Sequence, residues 1–227
     1  LQPGTIDWNT VLEDVGWLHF SAISPAINNN IAQVCKEAAA AAAQKGIVVS
    51  LDLNYRAKLW KYEKEPVEVM PEIAAYCDVV MGNIWAAEEM LGCNMEAGVV
   101  QKNTKEAYID QALQTSKNII QLFPDVKVVA NTFRFEQPPH AVRYYTTLYS
   151  DGNVYLSAAY LVENIIDIVG SGDCFMAGLI YGFYNNLLPQ DTLDFATAAA
   201  VKKLSVPGDS TNSTIAEIQN AIKRNER

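Results

Sequence analysis

The sequence predicts an α/β fold, built as a doubly wound, mostly parallel sheet with helices on both faces. Segments with the composition of strands alternate with segments that have the period of helices, as in repeated βαβ units. The segment Ile47–Leu53 is almost continuously apolar, which is typical of a strand that is buried on both faces of a parallel sheet. Polar stretches at 52–56, 82–83 and 170–173 follow apolar, strand-like segments, and ligands bind at such strand ends in this fold class.

Up to residue 130, the predicted strands and helices follow one another regularly. Gly46 and Gly92 each follow a segment with helical periodicity, and glycine is the residue most often found just after a helix. The predicted strands are Val15–Ser21, Ile47–Leu53, Val79–Met81 and Lys127–Ala130, and the predicted helices are Asn28–Gln44, Val67–Tyr76, Trp85–Leu91 and Thr104–Leu122.

After residue 130 the pattern changes to a hairpin followed by helices. Asp151-Gly152-Asn153 separates two segments rich in aromatic and β-branched residues, which predicts a tight turn between two strands. Asn131-Thr132-Phe133-Arg134 is expected to form a loop. No internal repeat, low-complexity tail or linker divides the chain, so we expect one domain over residues 1–227. The predicted strands are Tyr144–Tyr149 and Val154–Tyr160, and the predicted helices are Cys174–Leu187, Thr192–Ser205 and Thr214–Arg224.

The composition argues against several classes of protein. The formal net charge of −9 disfavours binding to nucleic acid or to an anionic membrane surface. No apolar run approaches the length of a membrane span, and no signal peptide is visible. The cysteines are scattered without a Cys-x-x-Cys pair, so we expect buried thiols in a reducing compartment, the cytoplasm. They are Cys35, Cys77, Cys93 and Cys174.

The most informative stretch is Gly170-Ser171-Gly172-Asp173, between the apolar segment Ile165–Val169 and a segment with helical periodicity. Two glycines around a serine allow a tight turn that points successive backbone N–H groups outward. At the start of a helix, such N–H groups and the helix dipole both favour a bound anion. The sequence therefore predicts an anion-binding turn, which we call the cradle (residues 170–173).

Asp173 allows two interpretations. It could cap the helix that follows, which would stabilise the helix by about 1 kcal/mol. Alternatively, it could take a proton from a hydroxyl group as a phosphoryl group arrives, since a carboxylate in an anion site is unfavourable without such a chemical role.

The residues around the cradle form a longer pattern that favours the second interpretation. This pattern closely resembles the C-terminal motif of the ribokinase-like (PfkB) carbohydrate kinases. The resemblance implies ATP-dependent phosphorylation of a sugar hydroxyl, with Asp173 as the base and the N–H groups of the cradle stabilising the transferring phosphoryl. It also implies ATP and magnesium as cofactors. The pattern is Asp167-x-x-Gly170-x-Gly172-Asp173-x-Phe175-x-x-Gly178.

A second cluster, Asp52-Leu53-Asn54-Tyr55-Arg56 with Leu59-Trp60, follows the buried strand. Arg56 could pair with a nearby surface acid, or it could hold a planar anion through two hydrogen bonds. Together with Trp17–Pro25, the cluster is similar to the corresponding stretches of the 2-keto-3-deoxygluconate kinases. That similarity implies that Arg56 holds the carboxylate of a sugar acid and that Asn54 and Tyr55 shape the acceptor pocket.

The chain departs from the family pattern at several positions. Ile168-Val169 replaces the usual Thr-Thr, and Asn83-Ile84-Trp85-Ala86 keeps only the asparagine of an Asn-x-x-Glu motif. The resemblance implies that Asn83 takes part in cofactor binding and leaves the magnesium ligand open, with Glu88 and Glu89 nearby. Thr132 could face the nucleotide and Arg134 could reach a phosphate, although a plain loop role fits both equally.

The resemblance covers the whole chain but not the whole family fold. The family has an N-terminal section, including a small β-sheet lid, that has no counterpart before Leu1, so we expect the chain to be incomplete at its N-terminus. The resemblance places adenine near the Thr192–Ser205 helix and the Pro207-Gly208-Asp209 turn. The partners it implies are a small sugar acid and ATP, and it leaves a homo-oligomer open.

Other functions compete with a sugar-acid kinase. A kinase for a neutral sugar, fructose or ribose, is the nearest, and an inactive module that binds nucleotide or sugar is another. A dinucleotide-dependent oxidoreductase would need Gly-x-Gly-x-x-Gly after the first strand. The Gly-x-Gly of this chain instead lies near the C-terminus and runs into Asp173.

Overall fold

The structure is a computed structural model that describes residues 1–222. The chain divides into two compact units, Leu1–Ala130 and a second unit that begins at Asn131. The strands are β1 (Trp17–Ser21), β2 (Val48–Asp52), β3 (Val79–Gly82), β4 (Val128–Gln137), β5 (Ala141–Ser150), β6 (Asn153–Leu156) and β7 (Tyr160–Val162). They pair in the order β1-β2-β3-β4-β5-β6, and β7 also pairs with β5.

The helices of the first unit separate its parallel strands, and those of the second unit follow its hairpin. The helices are α1 (Trp8–Val11), α2 (Asn29–Gln44), α3 (Pro66–Ala74), α4 (Ile84–Leu91), α5 (Val99–Lys102), α6 (Lys105–Leu122), α7 (Ser171–Tyr184), α8 (Pro189–Lys203) and α9 (Ile215–Asn220). Within the described residues, none of these helices has the length and hydrophobicity needed to cross a membrane.

The first unit aligns the carboxyl ends of its parallel strands. In the register of β1, β2 and β3, Ser21 pairs with Asp52, and Asp52 pairs with Met81. Since the three strands run in the same direction, the polar segments that follow Asp52 and Met81 begin at one edge of the sheet. This edge therefore carries the residues after β2 and β3 that the sequence marked as candidates.

The second unit is built around an antiparallel hairpin. Asp151 and Gly152 both have positive φ (50° and 77°), which is the turn geometry that joins two strands through two residues. β6 and β7 both pair with β5, but three residues between Leu156 and Tyr160 lie opposite two residues of β5. The extra residue makes a bulge, in which the Ser157 hydroxyl accepts the Thr146 N–H at 2.9 Å.

Helices α7 and α8 pack closely because α7 presents glycine to α8. A Cβ added at Gly178 would lie 2.5 Å from Ala196 Cα, and one added at Gly182 would lie 2.6 Å from Thr192 side-chain atoms. Both distances are shorter than any normal contact. The backbone of α7, which begins at the cradle, is thus held directly against α8.

Replacement of Gly178 by Ala is expected to lower the free energy of unfolding by about 1–3 kcal/mol, because the new methyl group overpacks the α7–α8 contact. Urea unfolding measures the effect. Ala177→Ser, at an exposed position of the same helix, serves as the control and should stay within about 0.5 kcal/mol of the wild type. Equal effects of the two changes would contradict the packing argument.

The α/β fold class is confirmed, and most predicted elements differ only at their ends. Two differences matter for function. Asn131-Thr132-Phe133-Arg134 was expected to be a loop but continues β4; Phe133 is buried and stacks on Tyr145 at 5.0 Å between ring centroids. Ile165–Val169 forms no strand, and its apolar side chains at 166, 168 and 169 are largely exposed.

Smaller differences concern helices and cysteines. The short helices α1 and α5 were not predicted, and Val154–Tyr160 is interrupted by the bulge. The last helix ends at Asn220, and the predicted positions 223 and 224 lie outside the described residues. All four cysteines are free thiols, of which Cys35 is only half-buried and the others are buried.

Candidate active site

Gly170 fixes the geometry of the cradle. Its φ of 79° lies in the left-handed region, and a Cβ at this position would lie 1.7 Å from the carbonyl oxygen of Asp209. No side chain larger than hydrogen fits without moving the backbone. Gly170 is also the N-cap of α7 and offers no side-chain oxygen to the first N–H groups of that helix.

The cradle contains backbone N–H groups at the start of α7 that have no acceptor in the described part of the chain. The N–H groups of Gly170, Gly172 and Asp173 have no acceptor within residues 1–222, whereas the N–H of Cys174 donates to the Gly170 carbonyl at 2.9 Å. Ser171 differs, because its hydroxyl and its N–H both donate to the Ile168 carbonyl, at 3.0 and 3.5 Å. The unpaired N–H groups and the positive end of the helix dipole favour an anion here.

Asp173 does not cap the helix. It lies in the first turn of α7, its side chain is exposed, and no group in the described part of the chain donates a hydrogen bond to its carboxylate. The capping interpretation of Asp173 is therefore wrong, because the cap position is occupied by Gly170. A carboxylate without a structural partner is available to a ligand hydroxyl.

Asp167 holds the segment that leads into the cradle. Its carboxylate accepts the N–H of Val169 at 2.9 Å and the N–H of Gly208 at 3.1 Å. These two bonds, the Val169 bond first, keep the pKa of the Asp167 carboxyl below its ordinary value. Asp167 thus connects the cradle to the turn after α8, a role that its place in the sequence motif did not reveal.

Replacement of Gly170 by Ala is expected to lower the free energy of unfolding by about 2 kcal/mol, through positive-φ strain and the clash with Asp209. Gly152→Ala is a matched control, because Gly152 has a φ of 77° but no atom within 4 Å of an added Cβ. It should cost only about 1 kcal/mol. Chemical denaturation compares the two variants; equal losses would show that the Asp209 contact is unimportant.

The edge of the first unit presents polar groups after β2. The carboxylate of Asp52, a buried residue, accepts the Asn54 N–H at 3.0 Å and shapes this strand end. Asn54 and Tyr55 are half-buried, and Arg56 is exposed. Burial raises the pKa of the Tyr55 hydroxyl, and the nearby carboxylates Glu89 and Glu65 raise it further. The guanidinium of Arg56 has no hydrogen-bond or ion-pair partner among the described residues.

The loop that carries Arg56 is anchored by aromatic residues. Trp60 stacks on Tyr62 with 5.7 Å between ring centroids. The Tyr62 hydroxyl donates to the Pro25 carbonyl at 2.7 Å, which ties this loop to the segment after β1. The Trp17–Pro25 stretch and the Arg56 loop, which the sequence analysis linked by resemblance, are therefore in direct contact.

Asn83 follows β3 at the same edge as Asn54. Its side-chain oxygen caps α4 by accepting the Ala86 N–H at 2.8 Å. A Cβ at Gly82 would lie 3.0 Å from Leu53 Cβ, so the ends of β2 and β3 approach closely. One carboxylate oxygen of Glu88 accepts the Met95 N–H at 2.9 Å, while Glu89 is exposed.

In the described part of the chain, acidic residues, histidines and cysteines alone form no metal site. Residues 1–222 contain no group of three such side chains that could hold a metal ion. The sequence analysis left the magnesium ligand open, and the described residues contain no acidic cluster that would supply it.

Thr132 and Arg134 lie on the same side of β4. Successive side chains of a strand point to opposite faces, and Phe133 between them is buried while Arg134 is exposed. Both residues thus share a unit with the cradle and belong to a regular strand.

The strand-end edge of the first unit carries the other candidate residues, which are Asn54, Tyr55, Arg56 and Asn83. Their roles in binding stay predictions.

Sequence reasoning missed one buried charge near the cradle. Lys203, at the end of α8, is completely buried, and its ammonium donates to the Asp167 carbonyl at 3.3 Å. The signal available in the sequence was weak, because Lys202-Lys203 at the end of a helix resembles an ordinary helix terminus.

A family model and a solved structure both show that this chain is similar to carbohydrate kinases. The family model of the pfkB family carbohydrate kinases matches residues 7–216. A crystal structure of 2-dehydro-3-deoxygluconokinase from Thermotoga maritima superimposes with a TM-score of 0.84 at 31% identity, covering 96% of this chain and 62% of that one.

Two curated relatives are more distant in sequence. 2-Dehydro-3-deoxygluconokinase of Bacillus subtilis is 23% identical over 194 residues, which cover 86% of this chain and 52% of the relative. A probable chloroplastic fructokinase-6 of Arabidopsis thaliana is 29% identical over 220 residues, 92% of this chain and 49% of the relative. The chain thus spans about half the length of these curated relatives.

The family model covers the cradle, the helix that starts at Ser171 and the strand-end residues around Arg56 and Asn83. The similar structure adds agreement of the fold over nearly the whole chain. The resemblance noted in the sequence is therefore confirmed, and the chain belongs to the pfkB family of carbohydrate kinases.

Proposed function

We propose that the protein containing this chain is an ATP-dependent kinase that phosphorylates a hydroxyl of a sugar acid, with 2-keto-3-deoxygluconate converted to its 6-phosphate. The observation that carries the sugar-acid assignment is Arg56. Its exposed guanidinium lies just after the polar end of β2 and has no partner among the described residues. An unpaired guanidinium at a strand end suits a planar carboxylate, which it can bind through two parallel hydrogen bonds.

In the proposed reaction, Asp173 acts as the general base. Its carboxylate accepts the proton of the sugar hydroxyl while that oxygen forms a bond to the γ-phosphorus of ATP. The bond between the γ-phosphorus and the bridging oxygen breaks, and ADP leaves. The N–H groups of Gly170 and Gly172 would stabilise the negative charge on the transferring phosphoryl, as preorganised donors do. Ser171 would support the turn through its bonds to the Ile168 carbonyl.

ATP and magnesium are the cofactors that the family resemblance implies. The N–H groups of the cradle fit a phosphate of ATP, since those of Gly170 and Gly172 have no acceptor in the described chain. Magnesium supplies positive charge to the nucleotide phosphates and keeps much of its water shell, which is compatible with the absence of an acidic cluster in residues 1–222. Asn83, Thr132 and Arg134 are proposed to contact the nucleotide or its hydrated ion.

A neutral-sugar kinase is the second candidate function. The relative named as a probable fructokinase is 29% identical over 92% of this chain, a closer sequence match than the 23% of the Bacillus subtilis relative. In that case Arg56 would have no substrate carboxylate to bind. Whether Arg56 contributes to sugar binding therefore distinguishes the sugar-acid kinase from the neutral-sugar kinase.

An ADP-release assay with MgATP tests these functions. The acceptors are 2-keto-3-deoxygluconate, gluconate, fructose and ribose, and both this chain and the full-length protein are assayed. We expect the highest kcat/KM with 2-keto-3-deoxygluconate in the full-length protein. A higher kcat/KM with fructose would favour the neutral-sugar kinase. Binding of MgATP in calorimetry without turnover of any sugar would indicate an inactive binding module.

A further inference from the structure

Lys203 is an unusual residue of the second unit. It is the only lysine or arginine that is buried between residues 1 and 222, and none of its surface is exposed. Lys202, its neighbour in α8, is half-exposed. Lysine is almost never fully buried without a partner, because desolvation of its charge is unfavourable.

The ammonium group of Lys203 is bound by backbone carbonyls. Nζ donates to the Asp167 carbonyl at 3.3 Å and to the Val206 carbonyl at 3.0 Å. In the part of the chain that the structure describes, no carboxylate oxygen lies within 4.0 Å of Nζ. The positive charge of Lys203 is therefore not neutralised by a direct ion pair.

One of these carbonyls belongs to the segment that leads into the cradle, and the other belongs to the turn that follows α8. Asp167 begins the segment that ends at Gly170, and Val206 precedes the turn at Gly208. The same segments are joined by the bond from the Gly208 N–H to the Asp167 carboxylate at 3.1 Å. Gly170 also packs closely against the backbone of this turn, since an added Cβ would lie 1.7 Å from the Asp209 carbonyl oxygen. Lys203 thus connects the two segments through the two hydrogen bonds of its ammonium group.

The charge of Lys203 reaches the first turn of α7. Burial raises the pKa of the Cys174 thiol; the Lys203 ammonium opposes that rise, and the Asp173 carboxylate adds to it. The Cys174 thiol therefore interacts electrostatically with both the buried cation and the exposed carboxylate. The Lys203 ammonium also helps to lower the pKa of Asp167, after the N–H groups of Val169 and Gly208.

From these contacts we propose, building on the proposed kinase function, that Lys203 is a positioning residue for phosphoryl transfer. Its ammonium holds the segment from Asp167 to Gly170 against the turn after α8. In this arrangement the N–H groups of Gly170, Gly172 and Asp173, which have no acceptor in residues 1–222, face the transferring phosphoryl. The buried charge also makes the electrostatic potential of the cradle more positive, so it acts on charge that develops in the transition state.

Steady-state kinetics of Lys203→Met in the full-length protein tests this role. Methionine has nearly the length of lysine but lacks the charge and the three donors. We expect kcat to fall about tenfold, with the KM of the sugar within twofold of the wild type, because Lys203 makes no proposed contact with the sugar. Lys202→Met, one residue earlier in the same helix, should retain the wild-type kcat. A wild-type kcat in Lys203→Met would overturn the proposal.

A second readout does not require turnover. In ¹⁵N-labelled protein, the amide resonances of Gly172 and Asp173 should shift on addition of MgATP in the wild type and in Lys202→Met. They should shift much less in Lys203→Met. If the wild type phosphorylates no sugar, the proposed function fails, and the amide shifts still decide whether Lys203 positions the cradle. Equal shifts in wild type and Lys203→Met would reject that role.

Foldedness is checked by circular dichroism and by thermal unfolding. If Lys203→Met does not fold, Lys203→Gln replaces it, because glutamine keeps one donor for the carbonyls and removes the charge. A folded Lys203→Gln protein with reduced kcat supports the positioning role. Failure of both variants to fold would assign Lys203 to stability alone and overturn the proposal.

Discussion

Replacement of Asp173 by Asn is expected to lower kcat about 1,000-fold while the dissociation constant of MgATP stays within about threefold of the wild type. A general base contributes typically 10²- to 10⁴-fold to a rate, and asparagine cannot accept the hydroxyl proton. The side chain is exposed and has no hydrogen-bond partner among the described residues, so the change should not disturb the fold. ADP release measures kcat, and calorimetry measures nucleotide binding.

Asp191→Asn provides a matched control for this experiment. Asp191 occupies the third helical position of α8, as Asp173 does in α7, and both side chains are exposed in a first turn. The two changes therefore have the same effect on charge near a helix start, but only Asp173 belongs to the cradle. If both variants kept a wild-type kcat, Asp173 could not be the base.

The fold class could be predicted because the signals are local and repeat along the chain. The continuous apolar run of β2 indicated a strand inside a parallel sheet, and that strand is buried from Val49 to Asp52. Asp151-Gly152 predicted a hairpin, and both residues adopt the positive φ that the turn requires. Such signals depend on backbone sterics and on burial along a single element, so a sequence displays them directly.

The errors occurred where contacts distant in sequence decide the structure. Phe133 and Phe135 stack on Tyr145 and extend β4 through the expected loop. The segment from Ile165 to Val169 has the composition of a strand, yet the N–H groups of Ile166 and Asp167 bond to the Leu204 carbonyl instead of a neighbouring strand. Neither partner could be recognised from the local pattern.

The geometry of the cradle was predictable to a similar extent, while the roles of the site residues stay predictions. The cradle was identified because glycine spacing and a helix start are local features, and Gly170 has the left-handed φ that such a turn needs. The buried Lys203, whose ammonium donates to the Asp167 carbonyl, was not identified, because burial of a charge depends on how α8 packs. Ser171, whose N–H the sequence analysis also assigned to the anion, donates to the Ile168 carbonyl in the structure. The N–H of Asp173, which has no acceptor among the described residues, was not singled out from the sequence.

Arg56→Ala is expected to reduce kcat/KM for 2-keto-3-deoxygluconate about 100-fold, mainly through KM, and to change kcat/KM for fructose less than threefold. A hydrogen bond to a charged group contributes about 1.5–3 kcal/mol, and each 1.4 kcal/mol corresponds to about tenfold in affinity. Arginine binds a carboxylate through two such bonds, so its loss affects only a substrate that carries a carboxylate. Kinetics with both sugars in the full-length protein measures the difference.

Lys58→Ala and Arg56→Lys complete the test. Lys58 is an exposed cation in the same loop, so Lys58→Ala reports the effect of removing a nearby positive charge without removing the proposed ligand. Its kcat/KM for the sugar acid should stay within about twofold of the wild type, since exposed charges at a distance are screened by salt. Arg56→Lys keeps the charge but loses the planar pair of donors, and we expect an intermediate loss. Equal losses for the sugar acid and fructose in Arg56→Ala would mean that Arg56 supports the loop and does not read the carboxylate, which would favour the neutral-sugar kinase.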